Sequence, residues 1–321
     1  MKNKKLWIAL LGIVIIAGIA AFLYQSLRDS AHPAADITDL NANYEVSEEM
    51  AKAREKLDKN PQASEVLTVD RSGRQQVALV FDGLPDRAMT ARLLDVLQKY
   101  HAKAVFFVEG GNAADQPETI KLIQKAGQEI GNYTLFGVQQ AEKLSQEDLL
   151  QQLCQTQKIL KVMTGTEPSL FRAPRTKYTD SLLKSLDAAG IQYAVKSNVP
   201  FPRGTLHSQE DADAFAAELQ PGSIIAIPSG VAVEMKTYEP GKTNERPAID
   251  KRPTITDDGS APARPKEDLA DEVERLLAAL QQRNMDMEFV DGFRHIHYIP
   301  VLPATEPQAE DEAAAEENQQ E

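Results

Sequence analysis

From residue 76 onward, short apolar runs alternate with longer stretches whose apolar positions recur at helical spacing. The runs 76–82, 103–109, 128–133, 169–172, 191–197, 223–228 and 287–291 are strand candidates. The intervening 87–100, 116–126, 145–163, 179–189, 209–219 and 267–284 are helix candidates. Short apolar strands separated by helices predict a parallel α/β sheet or barrel, because helices then cover the sheet. Seven strands favour a barrel. Periodicity alone leaves an open doubly wound sheet almost as good a description.

The pattern changes at both ends and once in the middle. Lys2, Lys4 and Lys5 precede an uncharged run, residues 6–24, with Trp7 and Tyr24 at its two ends. A helix of that length crosses roughly 30 Å of hydrocarbon. Positive charge before it predicts the N-terminus inside and the following domain outside, at the cytoplasmic membrane. The expectation is a transmembrane signal anchor over 1–24. A cleaved signal peptide, with Gly18-Ile19-Ala20 as the small-residue site, is the rival and would release a secreted domain. Residues 25–75 read as a juxtamembrane linker with a short helix over 46–57. Residues 231–266 carry five prolines among mixed charges and read as an insertion, functional or disordered. Residues 301–321 form an acidic tail expected to be disordered. The main domain is placed at 76–300.

Charge and cysteine content narrow the function classes. The formal net charge is −13, and seven acids in the last sixteen residues supply more than half of that excess. No basic stripe or nucleic-acid motif is present, so nucleic acid is excluded as a partner. The single cysteine, Cys154, rules out an intrachain disulfide and a Cys-rich zinc site. It lies among leucines at helical spacing and reads as a small buried hydrophobe.

The strongest candidate for chemistry is the run Val77 to Pro85, where a strand ends on Asp82 and breaks at Gly83 and Pro85. Parallel α/β folds bind ligands at the carboxyl ends of their strands. Glu109 ends the second strand and Glu129 lies in the third, so with Asp82 they are a second, all-oxygen candidate for a metal. Alternation along the strand points Glu129 outward and argues against it.

Four stretches resemble the NodB-homology polysaccharide deacetylases, carbohydrate esterase family four. Val80-Phe81-Asp82-Gly83-Leu84-Pro85 occupies the place of the family's T-F-D-D-G-P. Gly127-Gln128-Glu129-Ile130-Gly131-Asn132 matches G-x-E-I-G-N, and Tyr133-Thr134-Leu135-Phe136-Gly137 stands for H-[ST]-x-x-H. Phe171-Arg172-Ala173-Pro174 matches F-R-x-P, and Pro221 to Pro228 follows P-G-S-I-[IV]-L-x-H until its last position. The resemblance covers residues 76–292 and implies a distorted (β/α) barrel of seven strands, which decides against the open sheet.

The resemblance also implies a chemistry, and this chain departs from it at the reacting positions. In the family, the second Asp of the first motif and two His hold a divalent metal that activates water. The first Asp is the general base, oriented by the Arg of the third motif, and a late His protonates the leaving amine. Here the metal positions are Gly83, Tyr133 and Gly137, and the late His position near Pro228 offers no proton. His32, His101, His207, His295 and His297 fall outside every motif. Asp82 and Arg172 are the retained positions, catalytic or vestigial, and no cofactor or metal ligand is expected.

Three readings follow. One is a membrane-tethered, catalytically degenerate deacetylase-like domain that binds cell-envelope glycan or an envelope protein. Another is a working N- or O-deacetylase using Zn, Co or Mn through a rearranged site. The third is a scaffold that displays the 231–266 insertion to a partner.

Overall fold

The computed structural model describes residues 44–230, 268–290 and 292. The apolar run 6–24, residues 25–43, the 231–266 insertion, the acidic tail, His32, His295 and His297 lie outside the described residues. Among the described residues no helix is long and apolar enough to cross a membrane.

The strands are β1 (Glu65–Leu67), β2 (Gln76–Asp82), β3 (Ala104–Val108), β4 (Glu129–Asn132), β5 (Leu170–Phe171), β6 (Tyr193–Val195), β7 (Val199–Pro200), β8 (Ile224–Pro228) and β9 (Asp286–Glu288). The helices are α1 (Ser47–Lys59), α2 (Arg87–Lys99), α3 (Gly110–Asp115), α4 (Pro117–Lys125), α5 (Gln146–Thr164), α6 (Asp180–Ala188), α7 (Gln209–Glu218) and α8 (Leu269–Gln282). Every ladder is parallel, in the order β1-β6-β5-β4-β3-β2-β8-β7, with β9 paired to the start of β2.

Burial on both faces explains why the central strands read as unbroken apolar runs. Along β2, Val77, Leu79 and Phe81 face the helices, and Phe81 stacks on Phe106 with ring centroids 4.5 Å apart. The alternate residues Ala78 and Val80 join Val105, Phe107, Leu170, Val195, Ile224 and Ala226 in a separate inner cluster. The sheet therefore curls around its own side chains, as a barrel does.

The expected seven-stranded barrel takes the form of a curled sheet of nine shorter strands. Residues 193–200 change partner midway, at a bend at Asn198. β6 pairs with β5 and β1, whereas β7 pairs with β8. Between them the Asn198 side chain accepts from the Ile224 N–H at 2.8 Å, and the Asn198 N–H donates to the Ile224 carbonyl at 3.3 Å. A side chain thus replaces a ladder bond where the curl closes.

The linker reading of 25–75 needs correction from residue 44 onward. Helix α1 buries Met50 and Ala53, with Val46 just before it, against Leu150 and Cys154, and β1 extends the sheet beside β6. Residues 44–75 belong to the folded domain. Cys154 is buried there, and burial pushes its thiol up to about 12.

Candidate functional site

Strand alternation decides which side chains reach the mouth of the curl. Ala78 and Val80 point inward, so Asp82 at the end of β2 does as well. The same count brings Glu109 after β3, Tyr133 after β4 and Arg172 after β5 to the same end. In register, Asp82 stands opposite Phe107 on one side and Pro228 on the other.

Asp82 and Arg172 meet, as the motif resemblance implies. Arg172 Nε donates to Asp82 Oδ1 at 2.6 Å. Its other nitrogens donate to the Val195 carbonyl at 3.1 Å and to Ser197 Oγ at 2.9 Å. The two side chains are only 12% and 13% exposed, so this is a largely desolvated pair with a three-way anchored guanidinium. Burial pushes the Asp82 carboxyl above its ordinary range, against the pull of Arg172. Burial works against the Arg172 charge, yet Asp82 outweighs it and holds the guanidinium protonated.

Tyr133 is buried beside this pair. Burial, then the charges of Asp82 and Glu109, push its phenol above the ordinary range, so the O–H stays protonated. Tyr178 donates to the same Val195 carbonyl at 2.8 Å, and burial pushes its phenol up to about 12.

Glu109 is the second carboxyl at the mouth and is almost fully buried. Its Oε2 accepts from the Leu84 N–H at 2.8 Å, while Oε1 accepts no hydrogen bond among the described residues. Burial, with a smaller contribution from Asp82, pushes its carboxyl up; the Leu84 N–H, its own N–H and the Asn112 side chain pull the other way.

The segment after β8 closes over Asp82. The N–H groups of Ser229 and Gly230 both donate to the Asp82 carbonyl, at 2.9 and 2.8 Å, and Ser229 Oγ donates to the Gly83 carbonyl at 2.6 Å.

The other candidates are not brought to this end. Glu129 sits beside Val105, four residues before Glu109 in the neighbouring strand, so the all-oxygen cluster with Asp82 does not form. His101 occupies the turn before β3, at the opposite end of the strands, with left-handed backbone at φ 52°. His207 lies beside Asp211 at the start of α7. Ser197, Ser229 and Gly230 carried no sequence signal of their own. Gly137, flagged only as a missing histidine, also packs against the Glu109 carboxyl.

The profile of the family described as Polysaccharide deacetylase matches residues 70–194. A chitooligosaccharide deacetylase of Sinorhizobium fredii is 33% identical over 169 residues, 51% of this chain and 77% of that protein. The chain belongs to the polysaccharide deacetylase family. A peptidoglycan-N-acetylglucosamine deacetylase of Bacillus cereus is 33% identical over 111 residues, 35% of this chain. The match spans only 40% of the length of that relative. Among solved structures, a family-four carbohydrate esterase pseudoenzyme from Bacillus anthracis superposes with a TM-score of 0.54 at 15% identity, covering 74% of this chain and 70% of its own. At that identity the likeness is one of fold.

The metal of the polysaccharide deacetylases does not fit the residues that stand at its ligand positions here. Gly83 and Gly137 have no side-chain donor, and Tyr133 offers a phenol where the family offers an imidazole. Nor is position 83 merely vacant. Gly83 has φ 89°, and a Cβ there would lie 2.6 Å from Gly230 Cα and 3.0 Å from Glu109 Oε1. A ligand-bearing side chain at 83 would meet backbone, which cannot swing aside.

Proposed function

We propose that this chain is a polysaccharide deacetylase domain that has lost hydrolysis and binds acetylated cell-envelope glycan at the mouth around Asp82 and Arg172. One observation carries the proposal: the backbone of Gly230 fills the space a metal-ligating side chain at position 83 would need. Without that ligand and the two at 133 and 137, no first shell remains to lower the pKa of a water. The desolvated Asp82–Arg172 pair supplies a fixed polar feature for recognising a glycan hydroxyl or acetamido group. The glycan assignment rests on the named activities of the relatives. In the same reading, residues 6–24 anchor the chain in the cytoplasmic membrane, with the domain outside.

Three measurements test it together. Purified protein is assayed for bound metal by elemental analysis, for acetate release from peptidoglycan and chitooligosaccharides with added Zn, Co or Mn, and for retention on insoluble peptidoglycan and chitin. Retention without acetate release is expected. Acetate release that Asp82→Asn abolishes would establish a working enzyme instead. Loss of retention on every polymer would remove the glycan and point to an envelope protein or the 231–266 scaffold.

A further inference from the structure

The site's disagreement with the family's metal has a cause inside this chain. We propose that the Glu109 side chain occupies the space that ligand side chains at positions 83 and 137 would enter, forming with Gly83, Gly137 and Gly230 a plug that excludes a metal centre. This rests on the reading above that the family metal is not held here.

Three glycines converge on one carboxyl. Cβ atoms built on Gly83, Gly230 and Gly137 would lie 3.0, 3.1 and 3.3 Å from the same oxygen, Glu109 Oε1. At Gly137 the Glu109 Cγ is closer still, at 3.1 Å. Three positions far apart in sequence are therefore bare around one carboxyl. Any side chain at one of them competes with Glu109 for volume in an interior without slack.

Both the carboxyl and the backbone around it are tied down. Glu109 Oε2 is fixed by the Leu84 N–H. The Gly83 N–H is committed to the Phe107 carbonyl at 2.9 Å, and Gly230 to the Asp82 carbonyl. The loop carrying positions 133–137 is tied to the start of α3, where Gly110 and Gly111 donate to the carbonyls of Thr134 and Leu135 at 3.1 and 2.9 Å. Swinging Glu109 away would also move a buried carboxyl past Asp82 and the Tyr133 ring.

A double-mutant cycle reads the coupling directly. Thermal unfolding is measured for the full chain, Glu109→Ala, Gly137→Ala and the double variant. The left-handed backbone at Gly137 penalises alanine in both backgrounds, so that cost cancels in the cycle. Gly137→Ala should lower Tm by about 3–6 °C with Glu109 present and by less than half of that with Glu109→Ala. Equal losses in the two backgrounds would overturn the plug. If Gly137→Ala does not fold alone, rescue by Glu109→Ala is the same positive result, and failure in both backgrounds overturns it. A second readout is zinc titration of Tyr133→His/Gly137→His, with and without Glu109→Ala, followed by calorimetry. Removing Glu109 should tighten zinc by about tenfold or more through relief of overpacking, and equal or weaker affinity would count against the plug. Zinc held by the unmodified chain would instead sink the reading of the previous section. Additivity in a zinc-free protein would sink the plug alone.

Discussion

Asp82 Oδ1 and Arg172 Nε lie 2.6 Å apart although 90 residues of chain separate them. The contact links the end of β2 to the residue after β5 across the curl, with β3 and β4 between them in the sheet. Because both groups are largely desolvated, removing one leaves the other charged and unpaired. Arg172→Ala strands Asp82 and takes a donor from Ser197, while the Val195 carbonyl keeps its bond from Tyr178, and should cost about 3–5 kcal/mol. Asp82→Asn keeps an acceptor for the guanidinium and leaves its other two bonds intact, so it should cost less. Urea unfolding of the two variants checks the order, and equal losses would mean that the pair is not desolvated in solution.

The approach of Gly83 to Gly230 makes a second, local prediction. Alanine at 83 combines left-handed backbone with a contact of 2.6 Å to backbone carbon, and should cost about 2–4 kcal/mol. Gly73 is the natural control, with a similar φ of 81° and nothing within 4 Å of its added Cβ. Gly73→Ala should cost only the backbone term, about 1–2 kcal/mol. Matching losses at the two positions would show that the 83–230 contact loosens in solution.

What the sequence made legible follows from burial. The central strands declare themselves because both faces are covered, so Val77 to Phe81 and Ala104 to Val108 are apolar at every position. Helix α5 does so through Ser145 before it and Gly165 after it, which cap its ends. Strands β1 and β7, three and two residues long, present too little pattern to be seen. Helix α1 was recognised, but its buried face is only Met50 and Ala53 among charges, so its attachment to the domain was not. Asp82 and Arg172 were legible through motifs. The Glu109 cradle was not, because motif comparison at 83 and 137 registers a missing donor, and only coordinates show what fills the space.

Glu109 gives the fold a pH dependence whose sign is fixed. Burial raises its folded pKa above the ordinary 4.5, so the native chain binds this proton more tightly than the unfolded chain. Its contribution to stability is complete below about pH 4.5 and is lost as pH climbs from there through the folded pKa. Asp82 is shifted in the same direction and adds a parallel loss. Glu109→Gln keeps an acceptor for the Leu84 N–H and carries no charge at any pH. Its Tm should therefore fall less steeply than that of the unmodified chain between about pH 5 and pH 8. Circular-dichroism melts across that range measure it, and superimposable slopes would place Glu109 in contact with water.

Glu272 anchors the rim beside the mouth. It is fully buried in the first turn of α8, and its Oε1 accepts the N–H groups of Gly204, Thr205 and Leu206 at 2.7, 3.1 and 3.2 Å. Three successive backbone donors on one carboxylate oxygen fix a loop whose Phe201 and Leu206 side chains are buried in the core. The same loop reaches the site end of β8, where Arg203 Nη1 donates to the Pro228 carbonyl at 3.0 Å. Glu272→Ala leaves those donors without their acceptor and should cost about 2–4 kcal/mol. The loss should be local before it is global, so hydrogen exchange should speed up over residues 204–206 at temperatures where β2 and β3 stay protected. Unchanged exchange there would mean that water substitutes for the carboxylate, and that the rim is held by Arg203 and the packing of Leu206 instead.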